Sequence, residues 1–208
     1  MDGVFMKKIL QRVAVCGLIA AVFWFAFLVS DRNKLDNTLI RFHVVANSDS
    51  EEDQSIKLKV RDLVLESIES DLQKITNIED AKAYLHQNLP KIQQVVDQTL
   101  ETFGFSDGAS VSLCKESFET RHYDTFSLPA GVYDTLRIVI GEGLGQNWWC
   151  VSFPSLCIPA TASGFADTAV SAGFSETLVQ TLSGNEDYEI RFFFLNQLGK
   201  LENILFEE

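Results

Sequence analysis

The residues of this sequence that could support nucleophilic or acid–base chemistry centre on three histidines, His43, His86 and His122. A catalytic serine or cysteine needs a base beside it, and no serine here lies in a nucleophile-elbow motif. His43 falls on a predicted strand and His86 on a predicted helix, so both are interpreted as structural residues. The sequence also lacks a histidine pair or a Cys-x-x-Cys pair with zinc spacing. We therefore expect no enzyme activity, no metal and no cofactor.

A glycine-rich run, GEGLG at 141–145, follows a predicted strand and shares part of the dinucleotide-binding fingerprint. Two differences argue against that function: the sixth position is Gln146, and a strand follows where the fingerprint needs a helix. The run is interpreted as a hairpin loop whose glycines let a partner approach the backbone closely. No small-molecule ligand is expected.

Two consecutive tryptophans, Trp148 and Trp149, follow this loop. Successive residues of a strand face opposite sides, so one tryptophan is expected in the core. The other would be exposed, and exposed aromatic side chains are enriched at partner interfaces. Burial of both tryptophans against helices is the alternative interpretation.

Four cysteines are present, and Cys16 lies inside an apolar segment where it acts as a small hydrophobic residue. The other three, Cys114, Cys150 and Cys157, would lie outside the cytoplasm, where disulfides persist. Cys150 and Cys157 flank a short proline-containing loop that is easily closed, so a disulfide between them is predicted. Three buried free thiols are the alternative.

The charge distribution is strongly acidic, with a formal net charge of −12. The first thirty residues carry +2 (Asp2 against Lys7, Lys8 and Arg12), so the remainder carries −12 − 2 = −14. A domain this acidic repels nucleic acid and anionic lipid headgroups, so nucleic-acid binding is not expected. Solubility is favoured over an acidic docking surface as the purpose of the charge.

An export segment is the strongest signal in the sequence. Residues 13–29 are apolar and uncharged, and the basic residues before them hold the N-terminus in the cytoplasm while the rest is translocated. A signal peptide would be cleaved after Ser30, and the cleavage site needs small residues at its last position and two positions earlier. Leu28 occupies the earlier position and is not small, so an uncleaved anchor is favoured. Three segments are predicted: a signal peptide or signal anchor at 1–30, a spacer at 31–38 and an extracytoplasmic domain at 39–208.

Periodicity in the first half of the domain predicts a strand at 39–46 and then two amphipathic helices. Capping residues start the first helix within 47–50, and Asp53, Lys57 and Arg61 are expected to pair along one of its faces. The second helix begins after Asn77, is kinked or broken near Leu89 because of Pro90, and stops at Gly104.

The second half is predicted mostly as strands, at 109–114, 119–123, 132–140 and 148–153. The last of these is expected to run antiparallel to the one before it. A helix is expected around 168–182, and the C-terminal segment is expected to begin as a strand at Tyr188 and then turn helical. The fold class is therefore α+β, with an antiparallel or mixed sheet and helices on one face.

Two blocks of the sequence resemble the stage II sporulation protein R family of endospore-forming bacteria. These blocks are IRFHVVANSDSEEDQSIKLKVRD at 40–62 and LPAGVYDTLRIVIGEGLGQNWWCVSFPSLC at 128–157. With the export segment and the aromatic-rich end, the resemblance covers essentially the whole chain. One departure is the small and polar stretch at 158–164, where a more apolar continuation is expected.

The resemblance implies a role as an intercompartmental signal. Such proteins are made in the forespore and exported into the space between two membranes, where they are secreted or remain anchored. There they trigger a membrane-embedded aspartic peptidase of the mother cell, which removes the pro-sequence of sigma factor E. A protein of this kind activates a peptidase and carries no protease residues itself.

The resemblance provides no catalytic residues, but its matching positions indicate where a partner would bind. The polar set of the first block and the loop before the tryptophans are the predicted contact residues: Asn47, Asp49, Asp53, Lys57, Arg61, Gly141, Gly143, Asn147, Trp148 and Trp149. A helix cap with a salt-paired face is the other interpretation of the polar set.

Three functions are therefore distinguished. The leading hypothesis is an exported or anchored signalling protein that activates a membrane peptidase and contacts the membrane through its N-terminal helix. The alternative is an exported cell-wall hydrolase that uses carboxylates which one sequence cannot pair. A passive envelope component is the third.

Overall fold

The computed structural model of this chain describes residues 3–153 and 162–207. The helices in these ranges are α1 (Gly3–Asp36), α2 (Glu51–Leu72), α3 (Ile78–Thr102), α4 (Ala162–Ser171), α5 (Glu176–Leu182) and α6 (Glu189–Glu207). The strands are β1 (Ile40–Val45), β2 (Ala109–Phe118), β3 (Arg121–His122), β4 (Ser127–Leu128), β5 (Gly131–Ile140) and β6 (Asn147–Phe153).

The four long strands form a mixed sheet in the order β2-β5-β1-β6. β1 runs parallel to β5 and antiparallel to β6, while β2 runs antiparallel to β5. The prediction of an α+β fold with a mixed sheet is thus confirmed. The prediction that 141–145 forms a hairpin was wrong, because β1 lies between β5 and β6 and the chain crosses over its end.

One face of the sheet is covered by α2 and α3, whose apolar stripes face buried residues of β1 and β5. The predicted start of α2 is confirmed, since the Ser50 hydroxyl accepts a hydrogen bond from the backbone N–H of Asp53 at 3.1 Å. Pro90 lies inside a continuous α3 rather than at a break. Leu85 and Ile92 are buried on either side of it, so packing on the sheet holds both halves together.

The second face carries its own core, built with residues of α1, α4, α5 and α6. Helices thus cover both faces of the sheet rather than one. The expected strand at Tyr188 was wrong: Glu186–Tyr188 forms a 3-10 turn that leads into α6. The side chain of Asn185 caps this turn by accepting from the N–H of Asp187 at 3.0 Å, which favours helical continuation.

Helix α1 joins the apolar segment directly to the domain. Phe5–Asp36 is long and apolar enough to cross a membrane, and it is equally compatible with a signal sequence. The helix continues to Asp36, so residues 31–38 are not the separate spacer that the sequence predicts. Leu28, Arg32 and Leu35 are buried on one side of the helix, and this packing extends it into the domain.

Candidate partner-binding surface

The predicted contact residues gather at one end of the sheet, where β1 and β5 finish and β6 begins. Val45 of β1 lies opposite Val139 of β5 and Asn147 of β6. We call this region, residues 46–50 and 141–147, the loop end. The structure thus brings together two segments that are about ninety residues apart, while Lys57 and Arg61 approach the same region from α2.

The side chain of Asn47 ties the two segments of the loop end together. Its Oδ1 accepts a hydrogen bond from the backbone N–H of Glu142 at 3.0 Å, and its Nδ2 donates to Asp53 at 3.0 Å. Asp49 adds a second tie, accepting from the N–H of Gln146 at 2.8 Å. Asn47, Asp49 and Asp53 therefore hold the loop in place. The polar set thus has the structural role of a helix cap and also shapes the surface that is predicted to contact a partner.

Asp53 links the cap of α2 to this loop as a charged acceptor. The hydrogen bond that Ser48 donates lowers the pKa of Asp53, and the one from Asn47 acts in the same direction. Its contribution to stability is therefore present above the unfolded-state pKa of about 3.9 and is lost as the pH falls through the lowered folded-state value.

We predict that Asp53→Asn lowers the unfolding free energy by about 1 kcal/mol at neutral pH, because a charge-assisted acceptor becomes a neutral one. The difference from wild type shrinks below about pH 4, as the wild-type carboxylate is protonated. Urea unfolding at several pH values measures this, with Glu66→Gln, an exposed position on the same helix, as the control. A difference that does not depend on pH contradicts the assignment.

Lys57 has a buried structural position in the loop end. It is 5% exposed, and its Nζ donates to Oε1 of Gln54 at 2.6 Å and to the backbone carbonyl of Gln146 at 3.0 Å. Burial lowers the pKa of Lys57, and the nearby Arg61 adds to that effect. The expected pairing along Asp53, Lys57 and Arg61 was therefore wrong, since each has a different partner and Arg61 pairs with its neighbour Asp62.

The glycines of the loop are needed for packing inside the protein. A Cβ on Gly145 would lie 2.2 Å from the backbone oxygen of Ser48, and one on Gly141 would lie 2.3 Å from Oδ1 of Asn47. Gly141 also has a positive φ of 55°, which side chains rarely adopt. Close contact with residues 47–48 therefore accounts for these glycines without a partner.

Gly145→Ala is predicted to lower the unfolding free energy by about 1–3 kcal/mol, since the methyl group forces the loop off residues 46–48. Amide hydrogen exchange is expected to show faster exchange at Leu144 and Gln146, whose N–H groups bond to Asn47 and Asp49. Gly17→Ala on α1 is the control, because nothing lies within 4 Å of its added Cβ and its φ is not positive. Unchanged exchange at both amides contradicts the proposed packing.

Leu144 is the exposed tip of this fixed loop. Its side chain is 75% exposed, although its backbone N–H donates to the carbonyl of Asn47 at 3.0 Å. Binding to a loop that is already ordered costs little additional conformational entropy, so Leu144 is a candidate contact residue. Leu144 does not stand out in the sequence, because only the structure shows that its side chain is exposed while its backbone is held.

The two tryptophans lie on opposite faces of the sheet, as the strand pattern predicts, and both are half-buried. Trp148 packs edge-on against Phe42 with ring centroids 5.8 Å apart, and the Arg61 guanidinium lies 5.0 Å from its ring centroid. Trp149 stacks on the ring of His43 at 5.5 Å. Each ring thus keeps one edge available to a partner beside the loop end.

A polar cluster around His43 continues the surface along the second face. Glu116 lies 2.9 Å from Nδ1 of His43, and Oδ1 of Asn147 lies 2.8 Å from Nε2. Arg121 lies over Trp149 at 3.5 Å from the ring centroid. Both ring nitrogens of His43 therefore have partners, and neither partner is a serine or a cysteine. This arrangement fixes the side chains around His43, and sequence reasoning missed it because Glu116 lies 73 residues from His43.

The remaining predicted chemistry concerns metals and thiols. Within 3–153 and 162–207, no group of three or more His, Cys, Asp or Glu side chains could hold a metal ion. Cys150 is buried on β6, and Cys157 lies outside the described residues. The disulfide between them therefore stays a prediction.

Comparison with known proteins connects these features to a family. The family model described as stage II sporulation protein R matches residues 36–163, which include β1 to β6 and the whole loop end. The protein named stage II sporulation protein R from Bacillus subtilis (strain 168) is 40% identical over 127 residues. That match covers 61% of this chain and 57% of the relative, so the chain spans little more than half of its length. No solved structure matches. The chain belongs to the stage II sporulation protein R family, and its role is in sporulation.

Proposed function

We propose that this protein is an exported signal of sporulation that activates a membrane-embedded aspartic peptidase, which then removes the pro-sequence of sigma factor E. The observation that carries the proposal is the ordered loop end with its exposed Leu144, built on a domain that is joined directly to an apolar helix. Family membership supports the sporulation role, and the loop end supports a binding function rather than a catalytic one.

The position of the loop end favours a partner that does not lie in the same membrane as α1. Arg32 donates to the carbonyl of Ala130 and to the hydroxyl of Tyr133, both at 2.9 Å, at the beginning of β5. The loop end lies where β5 finishes, ten residues later, which is about 30 Å along a strand. A domain anchored through α1 therefore presents Leu144 away from its own bilayer and towards a facing membrane.

An uncleaved α1 is part of this proposal. Leu28 is fully buried in the domain, and it occupies a position where signal peptidase requires a small residue. We expect intact mass spectrometry of the protein from membranes to show the full-length chain. A product shortened by about thirty residues, the length of a signal peptide, contradicts anchoring.

Activation is tested by co-expression in a host that does not sporulate. One strain contains the peptidase, the sigma factor E precursor and this protein, a second lacks this protein, and a third lacks the peptidase. Processing is followed by the mobility of the precursor on gels. We expect processing only in the first strain.

Processing without the peptidase contradicts the proposal, because it assigns proteolysis to another protein. A lack of processing in the first strain also contradicts it, provided that the protein is shown to be exported and folded. Substitution of exposed Asp and Glu residues in the first strain then distinguishes signalling from the hydrolase alternative, which requires a single essential carboxylate.

A further inference from the structure

We propose that α6 lies along the lipid surface of the membrane that holds α1, with its outward face inserted among the lipid chains at the interface. This inference rests on the proposed anchoring of α1. It gives the domain a second, independent attachment to the bilayer in a part of the chain beyond residue 163, where the family match ends.

The outward face of α6 is apolar along the whole helix. Successive residues of an α-helix are about 100° apart, which places six of the seven exposed apolar residues of α6 within one stripe about 120° wide and leaves Phe206 (48% exposed) outside it. These six residues are Ile190 (69% exposed), Phe193 (54%), Phe194 (39%), Leu201 (58%), Ile204 (58%) and Leu205 (74%). In the described part of the chain, these side chains stay between 39% and 74% exposed, although Phe194 contacts Trp24 of α1.

The opposite face of α6 is already used by the domain. Leu195 is fully buried in the second core, and Asn203 donates to the carbonyl of Phe118 at 2.9 Å. Asn196 accepts from the N–H of Ala130 at 2.8 Å. Because folding accounts for one face only, the second apolar face needs another apolar environment.

The stripe is continuous with the apolar surface of α1. The ring of Phe194 packs edge-on against Trp24 with centroids 4.9 Å apart, and Trp24 belongs to the exposed apolar segment that would lie in the bilayer. Tryptophan is enriched at the level of the lipid headgroups. The N-terminal part of α6 therefore lies beside the outer end of the apolar segment 13–29.

The ion pairs between α1 and α6 orient α6 in the plane of the membrane. Two adjacent residues of α1 reach α6 at widely separated points. Arg191 donates through Nε to Asp31 at 3.0 Å, while Arg32 pairs with Glu202 at 2.6 Å. The two α6 positions are about three turns, or about 16 Å, apart. α6 therefore crosses α1 steeply, and a helix that crosses a membrane-spanning helix steeply lies along the bilayer surface.

A lipid surface fits this face better than a polar partner does. Among the residues on the stripe, Gln197 alone is polar, so the stripe has few groups to recognise a specific protein. The domain carries a strong negative charge, so insertion is expected to depend on apolar contact with zwitterionic lipids and not on attraction to anionic headgroups. α6 also packs at the beginning of β5, the end of the sheet far from Leu144.

The test uses the full-length protein in phosphatidylcholine vesicles with an environment-sensitive fluorophore at one introduced cysteine. Leu205→Cys reports on α6, and Leu144→Cys is the matched control, because the two leucines are 74% and 75% exposed. Wild-type protein labelled in parallel gives the contribution of the native cysteines. Fluorescence is quenched either by iodide in water or by a spin-labelled lipid, and intact mass is measured on the same samples.

We expect the label at 205 to emit at shorter wavelength, to be quenched by the spin-labelled lipid, and to be quenched by iodide several-fold less than the label at 144. Equal iodide quenching at both positions in a full-length, vesicle-bound chain overturns the inference and leaves the anchor in place. Shielding from both quenchers at 205 also overturns it, because a second copy of the chain would then cover the stripe. A shortened chain contradicts the anchor, whereas lipid quenching at 205 in that sample still supports α6 insertion.

Discussion

Replacing Arg32 by methionine is expected to lower the unfolding free energy of the domain by about 3 kcal/mol. Arg32 is 5% exposed. Its guanidinium joins three elements, through Asp36 at 2.8 Å on α1, Glu202 at 2.6 Å on α6 and the carbonyl of Ala130 at 2.9 Å beside β5. Methionine fills a similar volume but leaves two carboxylates without a counter-charge. The expected loss of unfolding free energy is at the lower end of the range for breaking a buried ion pair, because Glu202 keeps some contact with water.

Urea unfolding in detergent micelles, followed by tryptophan fluorescence, measures this loss. Lys34→Met is the matched control: it removes a positive charge from the same turn of α1, but its side chain is exposed. We expect the control to change the unfolding free energy by less than about 0.5 kcal/mol. Equal effects of the two substitutions contradict the view that Arg32 fixes α1 to the sheet.

Replacing Leu144 by aspartate is expected to abolish processing of the sigma factor E precursor in the co-expression strain while the domain stays folded. The side chain is 75% exposed in the free protein, so folding loses little apolar burial. In the complex, a charge would enter an apolar pocket of the peptidase. A central contact of this kind contributes about 2 kcal/mol or more, which is about thirtyfold in affinity.

The control for this prediction is Leu58→Asp on α2. Leu58 is also an exposed leucine, at 38%, and it lies outside the loop end. We expect normal processing with this variant and unchanged melting of both variants by circular dichroism. Normal processing with Leu144→Asp shows that the loop tip is not a contact, and loss of processing with both variants shows that the effect is not specific to it.

Local sequence patterns were sufficient for the elements whose determinants are close in sequence. The stripe from Ile56 to Leu72 and the cap at Ser50 predict α2, because a helix is stabilised by contacts three and four residues apart. Strand pairing was not predictable in the same way. β6 follows β5 after a short loop, yet it pairs with β1. The alternation of apolar and polar residues predicts which side chains of a strand share a face, but it does not predict which strand lies beside it.

For the candidate site as well, individual residues were identifiable from the sequence, but their long-range contacts were not. Asn47, Asp53 and Gly141 were singled out, but their contacts with the far segment of the loop end could not be predicted from one sequence. The polar segment around Arg32 resembles a spacer because its buried partners, among them Glu202, lie up to 170 residues away. A charged residue is placed in a core only when such distant partners satisfy it, and one sequence does not show them.

Site-specific photocrosslinking tests most directly the proposed contact between the loop end and the peptidase. A photoreactive amino acid is placed at position 144, or at position 58 as the control, in the strain that contains the peptidase and the sigma factor E precursor. We predict an ultraviolet-dependent crosslink to the peptidase from position 144 and none from position 58. Processing that proceeds normally without any crosslink from position 144 contradicts the claim, because activation would then occur without contact at the loop end.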